Sequence, residues 1–405
     1  MHTHFIGIGG IGVSALARHL HACGDTVSGT DLTHSELIAA LAEEGIAITI
    51  GAHKKSNLPR SAERVIFTAA IKDDNPELRS AATRGIPCVS YAEAVGALTR
   101  EHKTITVSGS HGKSTTTALV ALALIEGYAN PTVIVGTTLG ELNGSNYRRG
   151  ASPYLVLEAD EWNKSFLNYS PHIAVVTNID AEHLDTYGTR KEVERTFRDY
   201  LKKVPADGAI VANADDPGVR RVLKNVKRHI VWYSLADPEV RIIRRILHVP
   251  GIHNVSNALA ALKCARVIGV LDAPALHAIA NFHGTWRRFE FTGMRHGAFV
   301  YSDYGHHPSE IVATLKAARE RFPFRRVWCA YEPHQYQRLM HHWDDFKKSF
   351  DAADRVLLLP VYAASGREQK ALSRKVNSAM LAKELSLRGK HAHYAPSFAD
   401  ALYYL

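Results

Sequence analysis

Apolar positions along this chain gather into short, often β-branched runs. Each is followed by a glycine-rich or polar turn and then by apolar residues at helical spacing. HFIGIG near the N-terminus leads into GGIG and the helical pattern VSALARHLHACG, and Thr26-Val27-Ser28-Gly29 with Asp31 follows as a second run. The alternation continues through ERVIFTAAI and IPCVS. A second stretch carries TITVSGSHGKSTTT, TVIVG, YLVLEAD, IAVVTNI and IVANADDPG, then a helix over 254–268 that Asn254 is placed to cap. A third stretch begins near Gly284 and holds AFVYSDY, RVWCAY and DRVLLLPVY; Pro308 opens a helix with Ile311, Leu315 and Ala318 on one face. Strand–turn–helix alternation predicts parallel sheets wrapped by helices. The chain reads as α/β in three blocks, 1–98, 99–282 and 283–405.

Bulk properties narrow the classes. A chain of 405 residues is too long for one hydrophobic core. With 46% apolar and 22% charged residues it has the composition of an ordinary globular protein. No apolar run approaches the roughly 18 residues of a membrane span, so no membrane partner is expected. MHTHFIGIGG lacks the basic and long apolar segments of a secretory peptide. Cys23, Cys88, Cys264 and Cys329 are scattered, which fits free thiols in a reducing cytoplasm. The net charge of +9 is spread over several basic clusters without a recognition motif. No nucleic-acid partner is expected, and a site for several anionic groups accounts for the balance.

The strongest chemical signal is Thr104–Thr117. Gly109, Ser110, His111, Gly112, Lys113, Ser114 and Thr115 form a glycine-rich turn between a strand and an apolar helix, which aims backbone N–H groups at one spot and suits phosphate oxygens. Lys113 would reach the terminal phosphates and Ser114 would hold magnesium. Val107 stands where the strict P-loop pattern has its first glycine, so this is a variant loop.

Gly7-Ile8-Gly9-Gly10-Ile11-Gly12 also follows a strand and opens a helix, with Asp31 about 20 residues on. That fingerprint fits NAD, any other pyrophosphate such as a UDP-sugar, or a tight turn without a ligand. Glu158-Ala159-Asp160-Glu161 ends the apolar strand YLVL and His183 follows IAVVTNI, both at the edge where open α/β sheets place ligands. With Ser114 they are candidate magnesium ligands; a solvated strand edge is the alternative. His253-Asn254-Val255-Ser256-Asn257 pairs a cap candidate with a second amide, and Arg288, Asp303, His306, His307, His334 and Arg338 cluster beside strand ends of the third block.

In order along the chain, GIGGIG with VSGTD, SGSHGKSTTT, LEADEWNKSFL, AVVTNIDAEHLDTYG, NADDP, VPGIHNVSNALAA, WRRFE, DYGHHPSEI, EPHQYQR and VYAA resemble the Mur ligases, ATP-dependent amino-acid ligases of peptidoglycan precursor synthesis. Single motifs are weak, but the ordered set touches all three blocks and is specific. The resemblance implies a Rossmann-like N-terminal domain, a central P-loop ATPase and a C-terminal Rossmann-like ligase domain, here shortened. It implies ATP and Mg2+ as cofactors, UDP-N-acetylmuramate and L-alanine as substrates, and a monomer or weak homodimer. By carry-over, Gly9, Gly10, Ile11 and Gly12, with Asp31, would face the UDP-sugar. Gly109–Thr115 would hold ATP phosphates and Asn254 and Asn257 adenine, while Arg288 and Asp303 would act at phosphates and ribose. Ser114, Glu158 and His183 would share the metal, His306, His307, His334 and Arg338 would line the amino-acid end, and Lys113, His183 and Arg288 would carry catalysis. The family's usual arginine is replaced by Gln335, and VYAAGE has become VYAASGRE. The rivals are a murein-peptide ligase, a non-catalytic UDP-sugar-binding homologue and, from the first fingerprint, an NAD-dependent oxidoreductase.

Overall fold

The computed structural model describes residues 1–180, 184–363 and 370–405. The chain divides into two compact units, one of Met1–His248 with Val255–Trp286, the other of Val249–Asn254 with Arg287–Leu405. The first two blocks read from the sequence therefore share one compact unit while each keeps its own sheet.

In the first block, β1 (His2–Ile6), β2 (Thr26–Asp31), β3 (Ala47–Ile50), β4 (Arg64–Phe67) and β5 (Cys88–Ser90) form a parallel sheet of order β3-β2-β1-β4-β5. Glu77, fully buried, braces this sheet: its carboxylate accepts from His4 Nε2, Thr30 Oγ1 and His53 Nδ1. Burial opposes its ionisation, but the hydrogen bonds from His4, His53 and Thr30 outweigh that and hold the carboxyl below its ordinary range. Its contribution to stability is therefore complete above the unfolded value and is lost as pH falls through the depressed folded one.

The second block adds β6 (Lys103–Ser108), β7 (Thr132–Leu139), β8 (Ser145–Arg148), β9 (Tyr154–Glu158), β10 (Ile173–Val176), β11 (Ala209–Asn213) and β12 (His229–Tyr233). They form a seven-stranded sheet of order β12-β11-β10-β6-β9-β7-β8, parallel except for β8 at its edge. The Lys113–Glu126 helix leaves β6 and is buried continuously from Thr115 to Leu124. Its sequence is apolar all round because a helix enclosed on every side has no solvent face to make polar.

In the second unit, β13 (Glu290–Arg295) and β14 (Ala298–Ser302) form a hairpin, and β15 (Trp328–Tyr331), β16 (Arg355–Leu358) and β17 (His391–Tyr394) a parallel sheet. Ile311, Leu315, Tyr331, Phe346, Phe350 and Leu358 make its core. Pro308 occupies the first turn of the Pro308–Arg321 helix, as its fixed φ favours.

The pattern reading does not mark β3, β8, β12, β13 and β17. AITI is largely exposed, and SNYR and HAHY are mostly polar, so burial gives them no alternation to read. Among the described residues no helix is long and apolar enough to cross a membrane.

Candidate active site

The carboxyl ends of β6, β9 and β10 converge on the glycine-rich turn. Gly112 caps the Lys113–Glu126 helix with φ of 80°, a left-handed conformation that a side chain would strain. A Cβ there would also lie 2.7 Å from Asn257 Oδ1. Asn257 thus packs its carboxamide onto the turn itself. Asn178, after β10, clamps the turn from the other side: Oδ1 accepts from the His111 amide at 2.8 Å and Nδ2 donates to the His111 carbonyl at 2.9 Å. The Ser110 hydroxyl accepts from the Asp180 amide at 2.8 Å. With the His111 amide engaged, the phosphate cradle consists of the amides that open the helix, which helix geometry leaves without intrahelical acceptors.

Lys113 folds back over this cradle. Its Nζ donates to the Gly109 carbonyl at 2.7 Å and to the Glu161 carboxylate at 2.9 and 3.1 Å. Glu161 is 1% exposed, and burial pushes its carboxyl up to about 7 although the Lys113 ammonium pulls the other way. The loop that delivers it is anchored by Phe166, whose ring stacks on Tyr200 at 4.4 Å and meets Phe197 edge-on at 5.1 Å.

Ser114 Oγ donates to Glu158 Oε2 at 2.8 Å. Opposite that carboxylate is Gly136, where a Cβ would lie 2.5 Å from the same oxygen, so the bare strand is what lets the carboxylate keep this position. A hydroxyl and a carboxylate brought together at the mouth of a phosphate cradle are hard oxygen donors, and that set fits magnesium. His183 lies outside the described residues.

The second glycine turn belongs to the same unit. The Gly7 and Ile8 amides both donate to the Thr30 carbonyl, at 2.8 and 3.0 Å, and the Gly9 amide donates to Asp31 Oδ2 at 2.9 Å. Asp31 therefore braces the turn from within. The Ile11–Ala22 helix starts after Gly10, so Ile11 and Gly12 present the helix-opening amides.

Asn254 does not cap the following helix as its position predicts. The helix already starts at Ile252, and Asn254 Nδ2 donates to the Pro250 carbonyl at 2.7 Å. In the second unit, Glu310 is a hub: Oε2 accepts from the His306 and His307 amides at 2.9 and 3.1 Å, and Oε1 faces Arg288 Nη1 at 3.4 Å. Asp303 accepts from the Phe289 and Gly305 amides at 2.8 and 2.7 Å, and burial pushes its carboxyl up. His307 caps the helix, with its ring against Ser309 and His342. His306 and His334 have ring centroids 6.0 Å apart, and Arg338 Nη1 lies 3.3 Å from His334 Nδ1. Gln335 adopts φ of 72° just before the Tyr336–His341 helix. Glu161, read with Glu158 as part of an acidic run beside the metal, instead pairs with Lys113; Asn178 and Glu310 are the site residues that the motif reading does not single out. Both lie within motifs it quotes, AVVTNIDAEHLDTYG and DYGHHPSEI.

Comparison with known proteins agrees with this arrangement. Three family models match in order: "Mur ligase family, catalytic domain" over residues 2–103, "Mur ligase middle domain" over 107–246 and "Mur ligase, glutamate ligase domain" over 287–405. A UDP-N-acetylmuramate–L-alanine ligase of Acetivibrio thermocellus is 36% identical over all of this chain and 90% of its own length. One of Caldanaerobacter subterraneus is 37% identical over 99% of this chain and 91% of its own. The crystal structure of a UDP-N-acetylmuramate–alanine ligase from Thermotoga maritima superposes with a TM-score of 0.83 at 28% identity, covering 100% of this chain and 93% of that one. With three family models in register and relatives matched end to end, this chain belongs to the Mur ligase family.

Proposed function

We propose that the chain is an ATP- and magnesium-dependent ligase that joins L-alanine to UDP-N-acetylmuramate, the activity for which its full-length relatives are named. The observation that carries the reading is the phosphate cradle with Lys113 over it and the Ser114–Glu158 pair at its mouth.

The lactyl carboxylate of the sugar takes the γ-phosphoryl group of ATP, releasing ADP and forming an acyl phosphate; the amine of alanine then attacks the acyl carbonyl, phosphate leaves, and the amine gives up a proton. A carboxylate approaching a triphosphate is anion against anion, so positioning and cationic stabilisation set the rate. Lys113 supplies one cation by exchanging Glu161 for phosphate oxygens, and we assign Arg288, held by Glu310, to the same task. Magnesium, when bound, neutralises phosphate charge as a Lewis acid; Ser114 and Glu158 would hold it, with His183 completing the set. Asn257 packs onto the ATP turn, and with Asn254 we assign it to the adenine end. The amides of Ile11 and Gly12 receive the diphosphate of the sugar, with Gly9, Gly10 and Asp31 shaping the turn. His306, His334 and Arg338 line the amino-acid end. His307 is taken up in capping, so His306 is assigned the amine proton. Asp303, both of whose oxygens hold backbone amides, shapes the loop that carries His306. We further take the chain to act in the cytoplasm as a monomer or weak homodimer, which sedimentation of the purified protein checks.

Phosphate release from ATP, surveyed with UDP-N-acetylmuramate across amino acids and murein peptides, tests the assignment. Release requiring the sugar and L-alanine together is expected. Release requiring the sugar with a murein peptide but not with L-alanine points to the murein-peptide ligase instead, and sugar binding without turnover to a non-catalytic homologue.

Gln335 makes the alanine pocket a separate test. A neutral amide cannot form the bidentate pair with a carboxylate that a guanidinium forms. Gln335→Arg should lower the KM for L-alanine by about tenfold, with the KM for ATP unchanged. An unaltered alanine KM would remove residue 335 from the carboxylate site.

A further inference from the structure

The edge strand β8 runs along the helix that carries the UDP-sugar turn. Asn146, fully buried in β8, donates through Nδ2 to the Ile11 carbonyl at 2.6 Å and to Ser14 Oγ at 2.9 Å. Its Oδ1 accepts from Arg18 Nη1. Arg18, itself buried, is held on its outer side by Glu44 through Nε at 2.8 Å and Nη2 at 2.7 Å. Further along, the Tyr147 hydroxyl meets His19 Nδ1 at 3.3 Å, and Arg149 donates to the Ala22 carbonyl at the end of the helix. The strand of the ATP-binding sheet thus grips the Ile11–Ala22 helix from its first turn to its last.

Covering a sheet edge needs only a packed helix. The amide of Asn146 does more: both its hydrogens and its oxygen are used, and both hydrogens go to the turn that presents the Ile11 and Gly12 amides. A buried polar group satisfied this completely specifies one arrangement of the two parts. We propose that Asn146 is a positioning residue that sets the UDP-sugar cradle against the ATP cradle by fixing the first turn of the Ile11–Ala22 helix from β8. The inference rests on the assignment of that turn to the UDP-sugar. Its use is geometric, because a carboxylate displaced by about 1 Å from the line of phosphoryl transfer reacts far more slowly.

Asn146→Asp separates positioning from simple adhesion. Aspartate keeps an acceptor for Arg18 and adds an ion pair, but it turns the donor to Ile11 into an acceptor facing a carbonyl, and the Ser14 hydroxyl can meet it only by giving up its own bond to that carbonyl. If Asn146 only glues the two parts together, the variant should melt at a lower temperature but keep both KM values. If it positions the turn, the KM for UDP-N-acetylmuramate and its directly measured Kd should rise about tenfold while the KM for ATP stays within about twofold. Ser14→Ala, which removes one acceptor of the same amide, should shift the sugar KM in the same direction by about threefold; it carries the test if the aspartate variant does not fold. Unaltered sugar KM and Kd in the folded variant, or equal rises in both substrates' KM values, overturn the positioning role. A parent enzyme that does not bind UDP-N-acetylmuramate in the direct measurement overturns the assignment of the turn, and the inference with it.

Discussion

Replacing Lys113 with alanine should lower kcat by about a thousandfold while leaving UDP-N-acetylmuramate binding intact. The Lys113 ammonium stands over the helix-opening amides that would take the phosphates, and its Nζ is the cation that the Glu161 carboxylate holds there. During acyl phosphate formation charge accumulates on the transferred phosphoryl oxygens, and a preorganised cation at that point acts on the transition state more than on the ground state. The sugar turn is built by other residues, Gly7–Gly12 with Thr30 and Asp31, so its affinity has no reason to change. Stability is the obvious objection, since the substitution leaves a buried carboxylate without its cation. Glu161 already sits at about 7 with Lys113 present, because burial outweighs the ammonium. Without the ammonium it moves higher still and is held protonated at neutral pH, so the variant keeps no naked charge in its interior. Phosphate release under saturating substrates, beside calorimetry of the sugar alone, reads both halves of the expectation. Turnover near the parent rate would remove Lys113 from the phosphate site.

The same residues show what a sequence can and cannot disclose. The glycine turns were legible because their chemistry is local: strand, glycines, cation and hydroxyl follow one another, and the pattern states its own geometry. Glu158 was legible because it ends an apolar strand, where open sheets place ligands. The same acidic run offers Glu161 to the metal, but its partner is Lys113, 48 residues earlier, and only the folded loop shows that the two meet. Asn178 looks like an ordinary strand end until its amide is found clamping His111, 67 residues away. Asn146 lies on an edge strand too polar and short to mark, and its partner Ser14 is 132 residues distant. Asn254 shows the converse error. A correct local preference for capping placed it at the helix start, but the helix begins at Ile252, and the side chain satisfies the Pro250 carbonyl instead. The Asp31 position fits the dinucleotide fingerprint as a ligand contact in its spacing alone, yet the fold gives one of its oxygens to the Gly9 amide. Motif spacing finds groups that act within a turn; supporting groups are defined by the tertiary contacts that spacing does not encode.

Glu158→Gln should reduce kcat/KM for ATP by about a hundredfold and move the magnesium titration midpoint to higher concentration. Glutamine keeps the volume and one oxygen, which can still accept the Ser114 hydroxyl now 2.8 Å from Glu158 Oε2, so the local packing is preserved. What it removes is the negative charge that a hard divalent cation requires at the mouth of the phosphate cradle. Gly136→Ala approaches the same atom from the other side. Its new Cβ would lie 2.5 Å from Glu158 Oε2, closer than any contact the strand can keep, so the carboxylate must turn away with its charge intact. Both variants should therefore demand more magnesium, one by loss of charge and the other by loss of position, while Lys113 and the sugar turn remain as they are. A magnesium midpoint unchanged in both would show that the Ser114–Glu158 pair is a structural hydrogen bond and that the metal is held by other groups.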